Sequence, residues 1–335
     1  MTVLLLLQIL LATASPASLH FSTVAIPLPG ADGPVSLDYL AADRTTGQVW
    51  IPAGNTGSVD VLDVARRKVT RIEGFATRSR ETRAGTRVMG PSAVALGNDI
   101  AFIGNRATAE ICSIGTHTLA KIACAALAAA PDGVAYVPTA REVWVTTPRD
   151  QSITIVDARD PARLKQAARI PLPGKPEGYA VDAARGLFFT NLEDKNQTLV
   201  IDVKSRQLRK AWPSACGQEG PRGLAYEQHR QLLFVACTDK VEVLDAGHDG
   251  AIMATLETGA GVDNIDYLET QASLYVAAGR AARLTVARVG EHGRLTTLGT
   301  TSTAEGARVV VVSGDGTAVV ADPVHGGVLL VDPRP

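Results

Sequence analysis

The sequence predicts an all-β protein: a seven-bladed β-propeller of four-stranded antiparallel blades, with an N-terminal strand closing the last blade. Three observations predict it. A unit of about 45 residues recurs seven times. Each unit carries four short runs rich in β-branched and aromatic residues, split by polar turns. The chain also begins on a strand that its last unit lacks.

The unit comes first, because a period of this length sets the architecture. Anchored on the small or Pro residue before each leading apolar run, the units start at Pro34, Pro91, Pro131, Pro176, Pro221, Val262 and Ala307, with spacings of 57, 40, 45, 45, 41 and 45 residues. The fourth reads "PEGYAVDAARGLFFTNLEDKNQTLVIDVKSRQLRKAW": an apolar run, a turn, "LFFTN", a polar loop, "QTLVIDV", a second turn and "QLRKAW". Period-two runs bounded by such turns are strands, and four in meander order make one antiparallel sheet. An Asp closes the third strand at Asp63, Asp157, Asp202, Asp245 and Asp332, while the second and sixth units depart with "ICSIGTH" and "LTVARVG". One such sheet leaves both faces bare, and stacking around an axis covers them.

The ends of the chain complete the ring. "IPLPG" occurs at 26–30 and again at 170–174, where it follows "RLKQAAR", the outermost strand of the third unit. Residues 20–28, "HFSTVAIPL", therefore read as an outermost strand with no unit before it, and the last unit ends at "VLLVDPRP" after three strands. Docking the first strand on the last unit removes a free edge.

Bulk properties narrow the function. Lys and Arg number 33 against 34 Asp and Glu, a net charge of −1, which argues against whole-surface attraction to nucleic acid or anionic lipid. The stretch "MTVLLLLQILLATASPAS" resembles a secretory leader cut after Ala14 or Ala17, so residues 1–17 are assigned as a signal peptide and 18–335 as the propeller. A buried first strand or helix is the alternative for that leader. No other segment approaches the ~20 apolar residues a spanning helix needs, so no membrane insertion is expected. Cys112, Cys124, Cys216 and Cys237 fit disulfides in an exported chain or buried free thiols. Cys216 and Cys237 fall at the same face of the fifth blade and suit a bridge. Cys112 and Cys124 lie on neighbouring strands at a register that mismatches by simple counting, and their pairing stays open.

Phrases such as "PDGVAYVPTAREVWVTTPRDQSITIVDA" and "LYVAA" at 274–278 carry a family resemblance. The chain resembles the YVTN-repeat β-propellers, the YncE-like exported bacterial proteins, over essentially all of its mature length. The resemblance implies a periplasmic or secreted binding protein, with single-stranded DNA bound by some relatives. Related propellers include sugar-lactone hydrolases and cycloisomerases. No catalytic motif of the family carries across, so fold alone does not give function.

In a propeller the innermost strands line a central channel, and the loops entering them share a face with those joining second to third strands. The residue after each anchor gives a ring at that mouth: Val35, Ser92, Asp132, Glu177, Arg222, Asp263 and Arg308. Arg222 and Arg308 suit an anion held bidentately. Asp132, Glu177 and Asp263, aided by Asn264, suit a divalent cation, the one cofactor considered. Mutual pairing of these charges in a wet channel is the plain alternative. A second feature is "EGFATRSRETRAGTRVMG", whose Arg78, Arg80, Arg83 and Arg87 form an anion-binding loop over the same face. Trp212 suits either stacking on a ligand or packing between blades, and of six His only His325 falls on the binding face.

Three functions follow. The first is an exported, non-catalytic, monomeric propeller binding a ligand or macromolecule at the channel face. The second is a metal-dependent lactone hydrolase or isomerase. The third is single-stranded nucleic-acid binding through the Arg-rich loop, which the near-zero charge and 4% aromatic content disfavour.

Overall fold

The computed structural model describes residues 19–82 and 85–334. The leader expected over 1–17 and Arg83 of the basic loop lie outside the described residues.

Seven four-stranded antiparallel sheets form the ring. From the innermost strand outward, the fourth blade runs Pro176–Asp182, Leu187–Leu192, Gln197–Asp202 and Leu208–Pro213. The seventh runs Val310–Val312, Ala318–Asp322, Gly327–Arg334 and then His20–Pro27 from the other end of the chain. That last pairing is in register over its whole length, from His20 opposite Arg334 to Pro27 opposite Gly327. Main-chain hydrogen bonding thus latches the circle and covers the outer edge of Gly327–Arg334. Among the described residues helix is confined to short 3₁₀ turns, such as Gly54–Thr56 and Pro148–Asp150 in the loops joining second to third strands.

The core is divided as the sheets are. Seven apolar clusters fill the seven interfaces between neighbouring blades. Between the third and fourth, Trp144 packs on Phe188 with ring centroids 4.9 Å apart. Between the fourth and fifth, Phe189 stacks on Trp212 at 5.8 Å. Burying a large side chain stabilises by about 1.5–3 kcal/mol, so each interface contributes in proportion to its aromatic and aliphatic content. Trp212 is buried here and belongs to the packing, as are Trp50 and Trp144. Between the adjacent first and second blades, Tyr39 bonds the main chain through its N–H to Ser92 O at 3.1 Å and through its carbonyl to Val94 N at 3.1 Å.

The repeated Asp has a local cause. Its carboxylate accepts from the backbone N–H groups of the turn into the outermost strand, as Asp63 does from Arg66 at 2.8 Å, Asp202 from Ser205 at 2.6 Å and Asp245 from Gly247 at 2.9 Å. Those donors favour the charged form and hold all three carboxyls below their usual range, against the opposing pull of burial, which is the largest single influence at Asp245.

Between third and outermost strands the ladder shifts by one residue in blades two to six. In the second blade this bulge corrects the expected mismatch of Cys112 and Cys124. Ile114 pairs with Lys121, which by plain counting sets Cys112 opposite Ala123, but the extra residue moves Cys124 into place. The two are direct cross-strand partners with Cα atoms 4.0 Å apart, and they are bonded. Cys216 and Cys237 are also bonded, with Cα atoms 4.9 Å apart, tying the loop before the fifth blade to the end of its second strand.

Candidate functional site

The innermost strands of the second, fourth and sixth blades each carry a second bulge, beside Ser92, Glu177 and Asp263. A bulge re-aims a side chain out of the pleat. In the fourth blade it is made possible by Gly178, whose φ of +68° is left-handed and whose missing Cβ would lie 2.7 Å from Gly223 Cα of the next blade. Asp132, Glu177, Arg222, Asp263 and Arg308 all line one cavity of about 300 Å³ at the mouth of the channel.

The first blade needs a correction. Val35 is buried, and the mouth position belongs to Asp38, which lines the cavity. Pro34 misplaces the anchor by three residues. The turn that follows the innermost strand fixes it instead: Asp43 and Gly47 correspond to Asp182 and Gly186, which puts Asp38 opposite Glu177 in the repeat. Asn264 also departs from expectation. It lines a separate cavity of about 210 Å³ with Tyr39 and Asp266, since the residue after Asp263 faces away from the mouth.

Most of the charges in the mouth are already matched. Arg106, on the loop after the second strand of the second blade, bridges Asp38 at 2.8 Å and Asp132. Arg308 pairs with Asp263 at 3.0 Å, and Arg222 turns outward to Glu193 at 2.6 Å. Arg222 and Arg308 are therefore not free to clamp an anion as the sequence suggested. Glu177 forms no direct ion pair among the described residues. Its Oε1 accepts from the Tyr39 hydroxyl at 3.1 Å, and that hydroxyl accepts from Gly178 N at 3.1 Å.

The electrostatics follow from burial. Loss of water pushes Glu177 well above the carboxylate range, and the neighbouring Asp132, Asp263 and Asp38 push it further. Asp132 is raised by burial against the pull of Arg106. Two buried carboxyls in one cavity disfavour each other's ionisation. Asp263 is raised to about 6, burial outweighing Arg308. Tyr39 is held in its neutral form by burial and by these acids.

Two guanidiniums in the cavity wall have no carboxylate among the described residues: Arg87 and Arg149. Arg149 sits in the 3₁₀ turn Pro148–Asp150 on the loop joining second to third strands of the third blade. Arg87 lies on the basic insertion, which forms a two-stranded hairpin, Arg78–Thr82 with Gly85–Met89. Its root is pinned at Gly90, whose carbonyl accepts from Arg106 N at 2.9 Å. Arg80 stands directly opposite Arg87 in the hairpin ladder, while Arg78 pairs with Met89. Like charges in that relation repel, an arrangement that an anion relieves. Of the three basic-loop arginines among the described residues, Arg78, Arg80 and Arg87, only Arg87 reaches the cavity.

Asp38, Arg106 and Arg149 were not on the expected ring. The signal that finds the last two is the loop joining second to third strands, from which Arg106 and Arg149 reach the cavity. His325 is hydrogen-bonded to Asp322 at 2.9 Å and lines none of these cavities. The expected cation set does not gather. The one trio of His, Cys, Asp or Glu ligand atoms within 4.8 Å among the described residues is Cys216, Cys237 and Glu242, whose sulfurs form the disulfide. No described helix is long and apolar enough to cross a membrane.

No protein-family model matches the chain, and no curated protein matches its sequence. Solved structures match throughout. The streptogramin B lyase structure is similar at a TM-score of 0.73 and 12% identity, over 94% of this chain and 98% of that one. Virginiamycin B lyase from Staphylococcus aureus gives 0.70 at 15% identity, over 93% and 99%. The WD40 repeats of RRP9 give 0.74 at 11% identity, over 93% and 97%. A lyase and a WD40 protein resemble this chain equally well at such low identity, so the similarity is one of fold: the chain is a seven-bladed β-propeller.

Proposed function

We propose that this is an exported propeller of the YVTN-repeat type that binds a small anionic ligand, without turnover, at the mouth of its central channel. The observation that carries the reading is the pair Arg87 and Arg149. Every other guanidinium in the cavity wall has a carboxylate partner, and these two have none among the described residues. Glu177 in its protonated form and the neutral Tyr39 hydroxyl leave the floor of the site with little negative charge. A concave site with a preset surplus of guanidinium suits a carboxylate, sulfonate or phosphate. Export is supported by the two disulfides, which persist in oxidising compartments.

Calorimetric titration of the full chain with methanesulfonate, beside Arg87→Ala and Arg149→Ala variants, tests the site. Binding is expected in the wild type and weaker binding in each variant. Equal binding by all three proteins, or none by the wild type, refutes it.

One observation supports a second reading, an enzyme that hydrolyses or isomerises lactones. The Asp132–Glu177 pair is a buried carboxyl couple of raised pKa in a cleft, a common mark of acid–base sites. Turnover of a lactone panel that disappears in Glu177→Gln supports this alternative, and no turnover removes it.

A further inference from the structure

The charged cavity has a neighbour. Toward the junction of the seventh, first and second blades lies a bay of about 450 Å³. Asp38, Arg87, Met89, Arg106 and Arg308 line both compartments, so the two adjoin along a shared wall. The far part of the bay has another character. Its lining includes Val35, Leu37, Val88, Met89, Pro91 and Val324. Val35 and Leu37 are buried there, held by the ring closure: Val35 N donates to Pro323 O at 2.8 Å. Val324 is 48% exposed. The other large apolar side chains left exposed, Ile122, Leu208, Ile252 and Met253, all lie on outermost strands at the rim. Among the described residues, Val324 is the one at the mouth.

We infer that the ligand is amphiphilic: an anionic head between Arg87 and Arg149, and an apolar body of a few carbons lying in the bay under the root of the basic hairpin. Three features of the site select that class. The guanidinium surplus lies in one of two adjoining cavities, and the apolar lining lies in the other. Arg87 stands where the two meet, so a single molecule reaches both. Prolines at 34, 91 and 323 stiffen the bay, so an apolar body enters a preformed wall. An inorganic anion leaves that wall wet, and a neutral apolar molecule leaves Arg87 and Arg149 without a partner. Neither fills the whole site.

The inference rests on the anion-site reading, and calorimetry on the full chain at pH 5.0 separates the two. The probes are methanesulfonate (the head alone), hexanesulfonate, and hexyltrimethylammonium (the same tail on a cation). Each added methylene that leaves water strengthens binding. Hexanesulfonate is expected to bind at least tenfold tighter than methanesulfonate, and hexyltrimethylammonium at least tenfold weaker than hexanesulfonate. In a Val88→Asn/Val324→Asn double variant, verified as folded by its melting temperature, the advantage of the longer sulfonate is expected to fall below threefold. The inference is overturned, with the anion site left standing, if the two sulfonates bind within twofold or if the double variant keeps the full advantage. It is also overturned if the ammonium binds as tightly as hexanesulfonate. If neither sulfonate binds, the anion site itself fails, and the amphiphile with it.

Discussion

Protonation of Asp263 should switch a third guanidinium into the anion site. At neutral pH Arg308 is occupied by the Asp263 carboxylate at 3.0 Å. Burial raises that carboxyl to about 6, so it is charged at pH 7.5 and roughly nine-tenths neutral at pH 5. Neutralising it removes a negative charge from the cavity wall and frees Arg308, whose side chain is 48% exposed and can turn to a ligand. A hydrogen bond to a charged group contributes about 1.5–3 kcal/mol. The affinity for methanesulfonate, whose own charge is constant over this range, should therefore rise between roughly 10- and 150-fold from pH 7.5 to pH 5. Asp263→Asn should bind at pH 7.5 nearly as the wild type does at pH 5, and should lose most of the pH dependence. Stability provides a second readout. The folded form holds the Asp263 proton more tightly than the unfolded chain, so this contribution is fully present below about pH 4 and is lost as pH rises through about 6. The span between the ordinary value of 3.8 and about 6 amounts to about 3 kcal/mol, which Asp263→Asn should remove from the pH profile measured by urea unfolding. Wild-type affinity that is flat from pH 5 to pH 7.5, or an Asp263→Asn variant with the wild-type slope, refutes the reasoning.

Other perturbations test the frame that holds the site. Deleting residues 20–27 uncovers the edge of Gly327–Arg334, so the truncated protein should self-associate in size-exclusion chromatography where the full chain does not. Replacing Cys112 and Cys124 together by Ala should cost about 3 kcal/mol in urea unfolding, the entropy of a loop of that length, and mass spectrometry of the unreduced wild type should show both bridges. Gly90→Ala drives a methyl group into the carbonyl of Gly54 at the hairpin root, so the backbone must shift there, and both the melting temperature and the sulfonate affinity should fall. A variant that binds as the wild type does would show that the hairpin does not position Arg87.

The ring was legible because each blade repeats the same solution to the same problem. An apolar run must be buried on both faces, so alternating strands recur, and the turn into the outermost strand needs an acceptor, so Asp63, Asp157, Asp202 and Asp245 recur. What deviates from the repeat escaped for the same reason. Pro34 imitates the other anchors but stands three residues early, which hid Asp38 until the Asp43–Gly47 turn was used as the ruler. The bulge that seats Cys124 opposite Cys112 leaves no mark in composition, since a ladder slip depends on how two strands twist together rather than on any one residue.

The site was half legible for a deeper reason. Position in a repeat tells which side chains reach the mouth, and it delivered Asp132, Glu177, Arg222, Asp263 and Arg308. It does not tell which of them are spent on one another, because partners come from different loops at distances that only closure of the ring sets. Arg106 is drawn to Asp38 and Asp132 from two neighbouring blades, and Arg222 is turned away by Glu193. The charge that remains is a difference between nearly balanced sets, and a difference can fall on residues absent from the original ring. Here it falls on Arg87 and Arg149, which come from a hairpin and a second-to-third loop. In a mouth built of opposed charges, the groups that matter for a ligand are those the protein has not already matched.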